Sequence, residues 1–171
     1  MALNEETRIL IADSQPVFRR GIVETLAQEA DFEVTGEAND GDMAVAIALQ
    51  TSPNVILVDS SLPHRGGIDA STRLKHELPS AGVIVVAGSE DEDLLFGAIR
   101  AGAAAFLLKD IRPGDLIAAI RRVASGEYPI NDRVLAMPTV ASRVLKEFRE
   151  DRKSTRLNSS HIQKSRMPSS A

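Results

Sequence analysis

Short apolar runs recur along the chain, and three of them end abruptly in a charged residue. The runs at 9–12, 55–58 and 105–108 are followed by Asp13, Asp59 and Lys109. Apolar runs this short are typical of strands that are buried on both faces of a parallel sheet. Functional crevices in such sheets lie beyond the carboxyl ends of the strands. We therefore expect the three charges to converge there, although each one could simply mark the point where its strand reaches solvent.

Between these runs, the apolar positions alternate between the spacing of a strand and that of a helix. Strands are predicted at 8–12, 33–37, 55–58, 83–87 and 105–108, and helices at 16–29, 41–50, 67–77, 91–101 and 113–125. In the first helix, Phe18, Ile22 and Leu26 are spaced four apart and share one face, which is typical of an amphipathic helix. Five alternations of strand and helix predict a doubly wound α/β domain with a five-stranded parallel sheet.

The pattern changes after Gly126, so we assign the domain to residues 1–126. Residues 127–137 are predicted to be a linker, and residues 139–150 carry apolar side chains at helical spacing. This stripe needs a partner, which is either the preceding domain or a further domain or subunit. Residues 151–171 are rich in Ser, Lys and Arg without an apolar period; we predict a disordered tail that resembles translated adapter or vector sequence.

Composition narrows the class of protein. The 171 residues are 43% hydrophobic, enough for one packed domain, and they include no Cys, which excludes disulfides and thiolate metal sites. No apolar run reaches the ~18 residues of a membrane helix and there is no signal peptide, so we expect a cytoplasmic protein without a membrane partner. Residues 151–171 hold five of the 20 basic residues but only one of the 24 acidic residues. Residues 1–150 therefore carry a net charge of −8. Such an acidic domain is not expected to bind DNA by itself.

Several strings resemble a known family, the receiver domains of two-component response regulators, and within it the NarL/LuxR type. Where the family has two acids followed by His-Pro-Val, residues 13–17 read Asp-Ser-Gln-Pro-Val. Asp59 and the Pro63 turn match the phosphoacceptor and its Met-Pro turn, and the family's Arg-Ala-Gly-Ala and Leu-Leu-Lys-Asp strings recur at 100–103 and 107–110. The resemblance spans about residues 7–126 and implies a flavodoxin-like sheet with the strand order 2-1-3-4-5.

The resemblance also implies a function. In this family a sensor histidine kinase donates a phosphoryl group to an Asp carboxylate, which then controls transcription through a DNA-binding domain. On this analogy Asp59 is the phosphoacceptor, Asp13 and Asp59 hold Mg²⁺, and Lys109 contacts the phosphoryl group. A resting salt bridge from Lys109 to Asp59 is an alternative and compatible role. We expect this chain to lack the helix-turn-helix domain that follows in the family, and a homodimer is a second assembly to consider.

Two positions depart from the family in ways that bear on this mechanism. Ser14 replaces the second acid, usually a direct metal ligand, so we expect Mg²⁺ to bind weakly. Ala87 stands where the family has a Ser or Thr whose hydroxyl binds the phosphoryl oxygen. Ser89 could supply that hydroxyl only if Gly88 lets the loop reach. Replacement of the family's His by Gln15 is expected to matter less, because this position lies outside the phosphate contacts.

Two hypotheses of different classes follow. Retention of Asp13, Asp59 and Lys109 favours a phosphorylation-switched response regulator, which is not an enzyme beyond its own phosphorylation from a phosphodonor. Ser14 and Ala87 favour the alternative, a degenerate receiver that acts as a phosphorylation-independent protein-interaction module. A small-molecule enzyme on the same fold has little support, because no His is placed as a general base and no glycine-rich nucleotide motif is present.

Overall fold

A computed structural model describes the backbone of residues 5–165 and the side chains of residues 5–152. The strands are β1 (Thr7–Ala12), β2 (Phe32–Ala38), β3 (Val55–Asp59), β4 (Gly82–Ala87) and β5 (Ala105–Leu108). The helices are α1 (Pro16–Ala27), α2 (Gly41–Thr51), α3 (Gly66–Glu77), α4 (Glu92–Arg100), α5 (Pro113–Ala124), α6 (Ile130–Ala136) and α7 (Pro138–Ser165). Each of the ten elements predicted before residue 126 is present, and no end differs from its predicted position by more than two residues.

The five strands form one parallel sheet in the order β2-β1-β3-β4-β5. This confirms the predicted doubly wound fold and the strand order that the resemblance implied. The winding direction reverses between β1 and β3, which are hydrogen-bonded neighbours. The carboxyl ends of these two central strands therefore border the crevice in which sheets of this kind carry their functional groups.

Helices α1 and α5 bury one face of the sheet. Their buried residues are Ile22 and Leu26 on α1, and Leu116, Ile120 and Val123 on α5, and these pack against alternate residues of the strands. Phe18, predicted on the same face of α1, is partly buried against this cluster. Truncation of a fully buried leucine such as Leu26 typically costs about 2–5 kcal/mol, so the α1 face contributes substantially to holding β1 in place.

Two helices follow α5. The short helix α6 lies in the stretch predicted to be a linker, and two compact units meet at Arg133 and Val134; the domain boundary at residue 126 and the disordered tail stay predictions. A helix is present over the predicted 139–150, and α7 continues through residues 151–165. This stretch contains no Gly or Pro and includes Lys, Arg, Leu and Gln, which all favour helix. The rest of the predicted tail lies outside the described residues.

The apolar stripe of α7 is only partly buried. Val140 is buried, whereas Leu145 and Phe148 are 59% and 61% exposed. The partner that this stripe is predicted to need therefore stays a prediction. None of the helices in the described range is both long enough and apolar enough to cross a membrane.

Candidate functional site

The three predicted charges come together at the carboxyl edge of the sheet. Asp13 directly follows β1, Asp59 is the last residue of β3, and Lys109 directly follows β5. The Lys109 Nζ atom lies 3.1 Å from Oδ2 of Asp13 and 3.3 Å from Oδ2 of Asp59. The resting salt bridge considered for Lys109 is thus present, and it joins both carboxylates through one ammonium.

The carboxylates are deeply buried, while the lysine keeps some contact with solvent. Asp13 and Asp59 are each 2% exposed, and the Lys109 side chain is 16% exposed. Burial follows from the strands, because β1 and β3 lie in the middle of a sheet covered on both faces. Two buried carboxylates with one ammonium leave a net negative charge in a poorly solvated place, which makes the site receptive to a further cation.

Asp13 is held by backbone groups on both sides. Its Oδ1 accepts a 2.7 Å hydrogen bond from the Gln15 backbone N–H, and its own N–H donates to the carbonyl of Ala38. The Arg19 guanidinium donates to the Asp13 carbonyl at 2.6 Å. Burial raises the pKa of the Asp13 carboxyl above its ordinary value, partly offset by the Gln15 N–H and by Lys109. The orientation of the side chain is thus fixed, while burial disfavours the ionised form of its carboxyl.

Asp59 has one oxygen that is bonded and one that is not. Its Oδ1 accepts a 3.0 Å hydrogen bond from the Ser61 backbone N–H. Its Oδ2 is buried and accepts no hydrogen bond from the described part of the chain, although Lys109 Nζ is near enough for an ion pair. Buried carboxylate oxygens are normally hydrogen-bonded, so a free one marks a place where another group binds or reacts.

The loop after Asp59 is shaped by Gly67, a residue that the sequence reasoning did not single out as part of the site. A Cβ on Gly67 would lie 2.0 Å from the Asp59 carbonyl oxygen, and the Gly67 N–H donates to the Ser60 carbonyl at 3.1 Å. Any side chain here would push the loop away from the end of β3. The signal was available as the Gly-Gly pair that follows the Pro63 turn.

The two positions that depart from the family follow β1 and end β4. Ser14 follows Asp13 and is half-buried. Ala87 ends β4, is fully buried, and its carbonyl accepts a 2.9 Å hydrogen bond from the Lys109 backbone N–H. Its methyl group offers no hydrogen bond toward the crevice. Ser89 is exposed, two residues further along a bend.

Gln15 is more involved than its sequence position suggested. Lys109 Nζ donates a hydrogen bond to Gln15 Oε1, and the same ammonium lies 4.5 Å from the centre of the Phe18 ring. The expectation that the Gln15 replacement matters little for the mechanism stays a prediction, although the side chain contacts the site. Sequence patterns could not show this, because Gln15 and Lys109 are separated by 94 positions.

The site fits a magnesium ion with few protein ligands. Among the side chains that the structure describes, no group of three acidic, His or Cys residues is arranged to hold a metal. Asp13 and Asp59 supply two converging carboxylates, and Oδ2 of Asp59 is free of hydrogen bonds. Mg²⁺ is commonly bound by one or two carboxylates together with waters and phosphate oxygens, so this donor set is sufficient although sparse.

Comparison with protein families matches residues 9–121 to the response regulator receiver domain. The chain is 40% identical over 123 residues to the transcriptional regulatory protein YxjL of Bacillus subtilis, covering 72% of this chain and 56% of that protein. It is 31% identical over 150 residues to the nitrate/nitrite response regulator protein NarL of Escherichia coli K12, covering 86% of this chain and 69% of that protein. The chain thus spans a little over half the length of YxjL.

Solved structures give the same result. The signal receiver domain of the response regulator NarL from Mycobacterium tuberculosis superimposes with a TM-score of 0.68 and 31% sequence identity. That match covers 72% of this chain and 99% of the other. The receiver domain of AraT, a response regulator from Geobacillus stearothermophilus, matches with a TM-score of 0.63 and 32% identity over 70% of this chain and 93% of the other.

Proposed function

Because the chain belongs to the response regulator receiver domain family, as a NarL/LuxR-type member, we propose that it accepts a phosphoryl group on Asp59 from a sensor histidine kinase. Receiver domains are signalling modules rather than true enzymes, and they generally bind Mg²⁺ at their acidic site. The observation that carries the proposal is the Asp59 Oδ2 atom, a buried carboxylate oxygen with no hydrogen bond and an ammonium 3.3 Å away.

The chemistry follows from the charges around this carboxylate. An oxygen of the Asp59 carboxylate attacks the phosphorus of the donor, a P–O bond to aspartate forms, and the bond from phosphorus to the donor's histidine nitrogen breaks. Lys109 lies where it can contact an oxygen of the incoming phosphoryl group and offset its charge, which is the main task of a protein in phosphoryl transfer. Asp13 and Asp59 would hold Mg²⁺, which supplies further charge neutralisation when bound.

The proposal also covers the response to phosphorylation, which is control of transcription. YxjL is a transcriptional regulatory protein and is longer than the matched segment, so we assign control of transcription to a DNA-binding domain outside the matched segment. The acidic balance of residues 1–150 supports this division, since a surface at −8 repels the DNA backbone. Homodimerisation of receivers, which is frequent in the family, is a further candidate interaction.

The test is the intact mass of the protein after incubation with acetyl phosphate and Mg²⁺, with EDTA in the control. We expect one added phosphoryl group that is lost on mild alkaline treatment, as an acyl phosphate should be. Absence of any adduct at saturating Mg²⁺ would contradict the proposal.

A second candidate function is supported by Ser14 and Ala87. The site lacks one carboxylate and one hydroxyl that the family uses, which suits a degenerate receiver whose partner surface acts without phosphorylation. The mass experiment separates the candidates, because this module would remain unmodified while it keeps its fold.

A further inference from the structure

We infer that Gln15 is a positioning residue that takes one hydrogen bond of the Lys109 ammonium, so that the ammonium pairs with Oδ2 of Asp59 by charge alone and leaves this oxygen open to Mg²⁺. The inference rests on the Asp59 site proposed above but concerns metal binding alone. The structure shows two facts together: Lys109 Nζ donates to Gln15 Oε1, and Oδ2 of Asp59 accepts no hydrogen bond although the same Nζ is 3.3 Å away.

The local structure of α1 explains why the Gln15 side chain is available. Gln15 is the N-cap of α1, a position where Ser, Thr, Asp or Asn usually bonds the first helical N–H groups. Its side chain makes no capping hydrogen bond, and Pro16 at the first helical position has no N–H. The amide is therefore free to reach across to the end of β5. Its backbone N–H still fixes Oδ1 of Asp13 at 2.7 Å.

The ammonium is held from a second direction by Phe18, one turn into α1. The ring centre lies 4.5 Å from Nζ, a distance at which the ring face attracts a cation. Gln15 and Phe18 together form a docking place for the ammonium on α1, beside the carboxylates. An ammonium has three N–H donors and can share them between this place and the carboxylates.

Metal binding changes how the ammonium is shared. A divalent cation bound by Asp13 and Asp59 repels Lys109, so Nζ must give up part of its interaction with the carboxylates. With Gln15 present, the displaced ammonium keeps a hydrogen-bond partner. Without Oε1, its donors turn to Oδ2 of Asp59, and the lysine then competes with the metal for the same lone pairs.

The experiment is a Mg²⁺ titration of the metal-free protein at pH 7 by isothermal calorimetry, without any phosphodonor. Calorimetry suits this chain because it contains no Trp to report binding by fluorescence. The variants are Gln15→Met, which keeps the length of the side chain but removes its acceptor, and Gln15→Ala as a second truncation. The matched control is Gln50→Met, the same change at an exposed position on α2.

We expect Gln15→Met and Gln15→Ala to bind Mg²⁺ about three- to tenfold more weakly, as the loss of one partly exposed hydrogen bond allows, and Gln50→Met to be unchanged. In a Lys109→Met background, Gln15→Met should have no further effect, because the competitor is gone. Unchanged or tighter binding in the Gln15 variants would overturn the inference. An equal loss in the Lys109→Met background would also overturn it, since Gln15 would then act on the carboxylates directly.

Metal affinity and phosphorylation are separate readouts here. If the acetyl phosphate experiment fails while the Mg²⁺ cycle behaves as expected, the proposed function is wrong and the role of Gln15 stands. If phosphorylation succeeds but the Mg²⁺ affinities show no coupling between Gln15 and Lys109, the proposed function stands and the role of Gln15 is wrong.

Discussion

The ends of β1, β3 and β5 carry charged side chains, whereas the end of β4 carries a methyl group. Lys109 lies within ion-pair distance of both Asp13 and Asp59, and the residue that ends β4 is the buried Ala87. In the proposed function the charged residues accept a phosphoryl group, which is mainly a matter of charge. In the same proposal the end of β4 would report the phosphoryl group, which requires a contact made in one conformational state and not in the other.

On this proposal, accepting a phosphoryl group and reporting it depend on different residues of one fold. A phosphoryl group on Asp59 shifts a conformational equilibrium only by its differential interaction with the two states. A hydroxyl at residue 87 would supply part of that difference, and the fully buried Ala87 does not. We therefore expect a protein that is phosphorylated more readily than it is switched. Its output would then depend mainly on expression level or on a bound partner.

The largest expected effect is loss of the acceptor. Asp59→Asn should abolish phosphoryl uptake from acetyl phosphate, because the amide is not a nucleophile of comparable strength and Asp59 is the acid that ends the central strand. Intact mass measures the uptake, with Asp115→Asn, an exposed acid on α5, as control. Phosphorylation of the Asp59→Asn variant at the parent's rate would assign the acceptor elsewhere.

The next largest effect is expected on the conformational shift that follows phosphorylation. Ala87→Thr restores a hydroxyl, and a charge-assisted hydrogen bond of roughly 1.5–3 kcal/mol should enlarge the phosphate-dependent shift by about ten- to a hundredfold. Hydrogen exchange of amides 87–109 measures the shift, in protein whose mass shows that it is phosphorylated.

The control for this change is Ala87→Val, which has nearly the shape of threonine without the hydroxyl. Extra volume at this buried position typically costs about 1–3 kcal/mol in stability, and both variants share that cost. An equal response in both variants, or none in Ala87→Thr, would mean that Ser89 or another group already reports the phosphate.

A smaller effect is expected on the affinity for Mg²⁺. Ser14→Asp should tighten Mg²⁺ binding on the order of tenfold, because it adds a carboxylate beside Asp13. Ser14→Asn, of the same shape but uncharged, is the matched control, and calorimetric titration gives both affinities. Equal affinity in the parent and in Ser14→Asp would indicate that another acid, such as Asp110, already completes the site.

The smallest effect is a pH dependence of stability. Because burial raises the pKa of Asp13 above 3.8, the folded protein binds more protons than the unfolded chain between the two pKa values. The contribution of Asp13 to stability is therefore complete below the unfolded pKa and is lost as the pH rises through the folded one. Each unit of pKa difference corresponds to about 1.4 kcal/mol.

Urea unfolding of metal-free protein from pH 3.5 to 7 tests this sign. Asp13→Asn keeps an acceptor for the Gln15 N–H but cannot ionise, so its stability relative to the parent should increase with pH. The exposed Asp115→Asn variant serves as the reference. A difference that stays constant or falls with rising pH would contradict the raised pKa.

The sequence by itself determined the fold and the main charges of the site. Apolar runs that end in Asp13, Asp59 and Lys109 specify buried strands and the residues that leave them, because strand period and burial are local properties of the chain. Ser14 and Ala87 were likewise identified by position, and their roles stay predictions. Residues 151–165 lack an apolar period yet form part of α7, since a helix requires only backbone hydrogen bonds and tolerant side chains.

The pairing of the charged groups could be seen only in the tertiary structure. It depends on side-chain directions at the ends of three strands and one helix. Lys109 bridges two carboxylates and donates to Gln15, and Oδ2 of Asp59 accepts no hydrogen bond. The same holds for Gly67, whose missing Cβ matters because the end of β3 passes 2.0 Å from where it would be. Such contacts join residues far apart in the chain, and no periodicity encodes them.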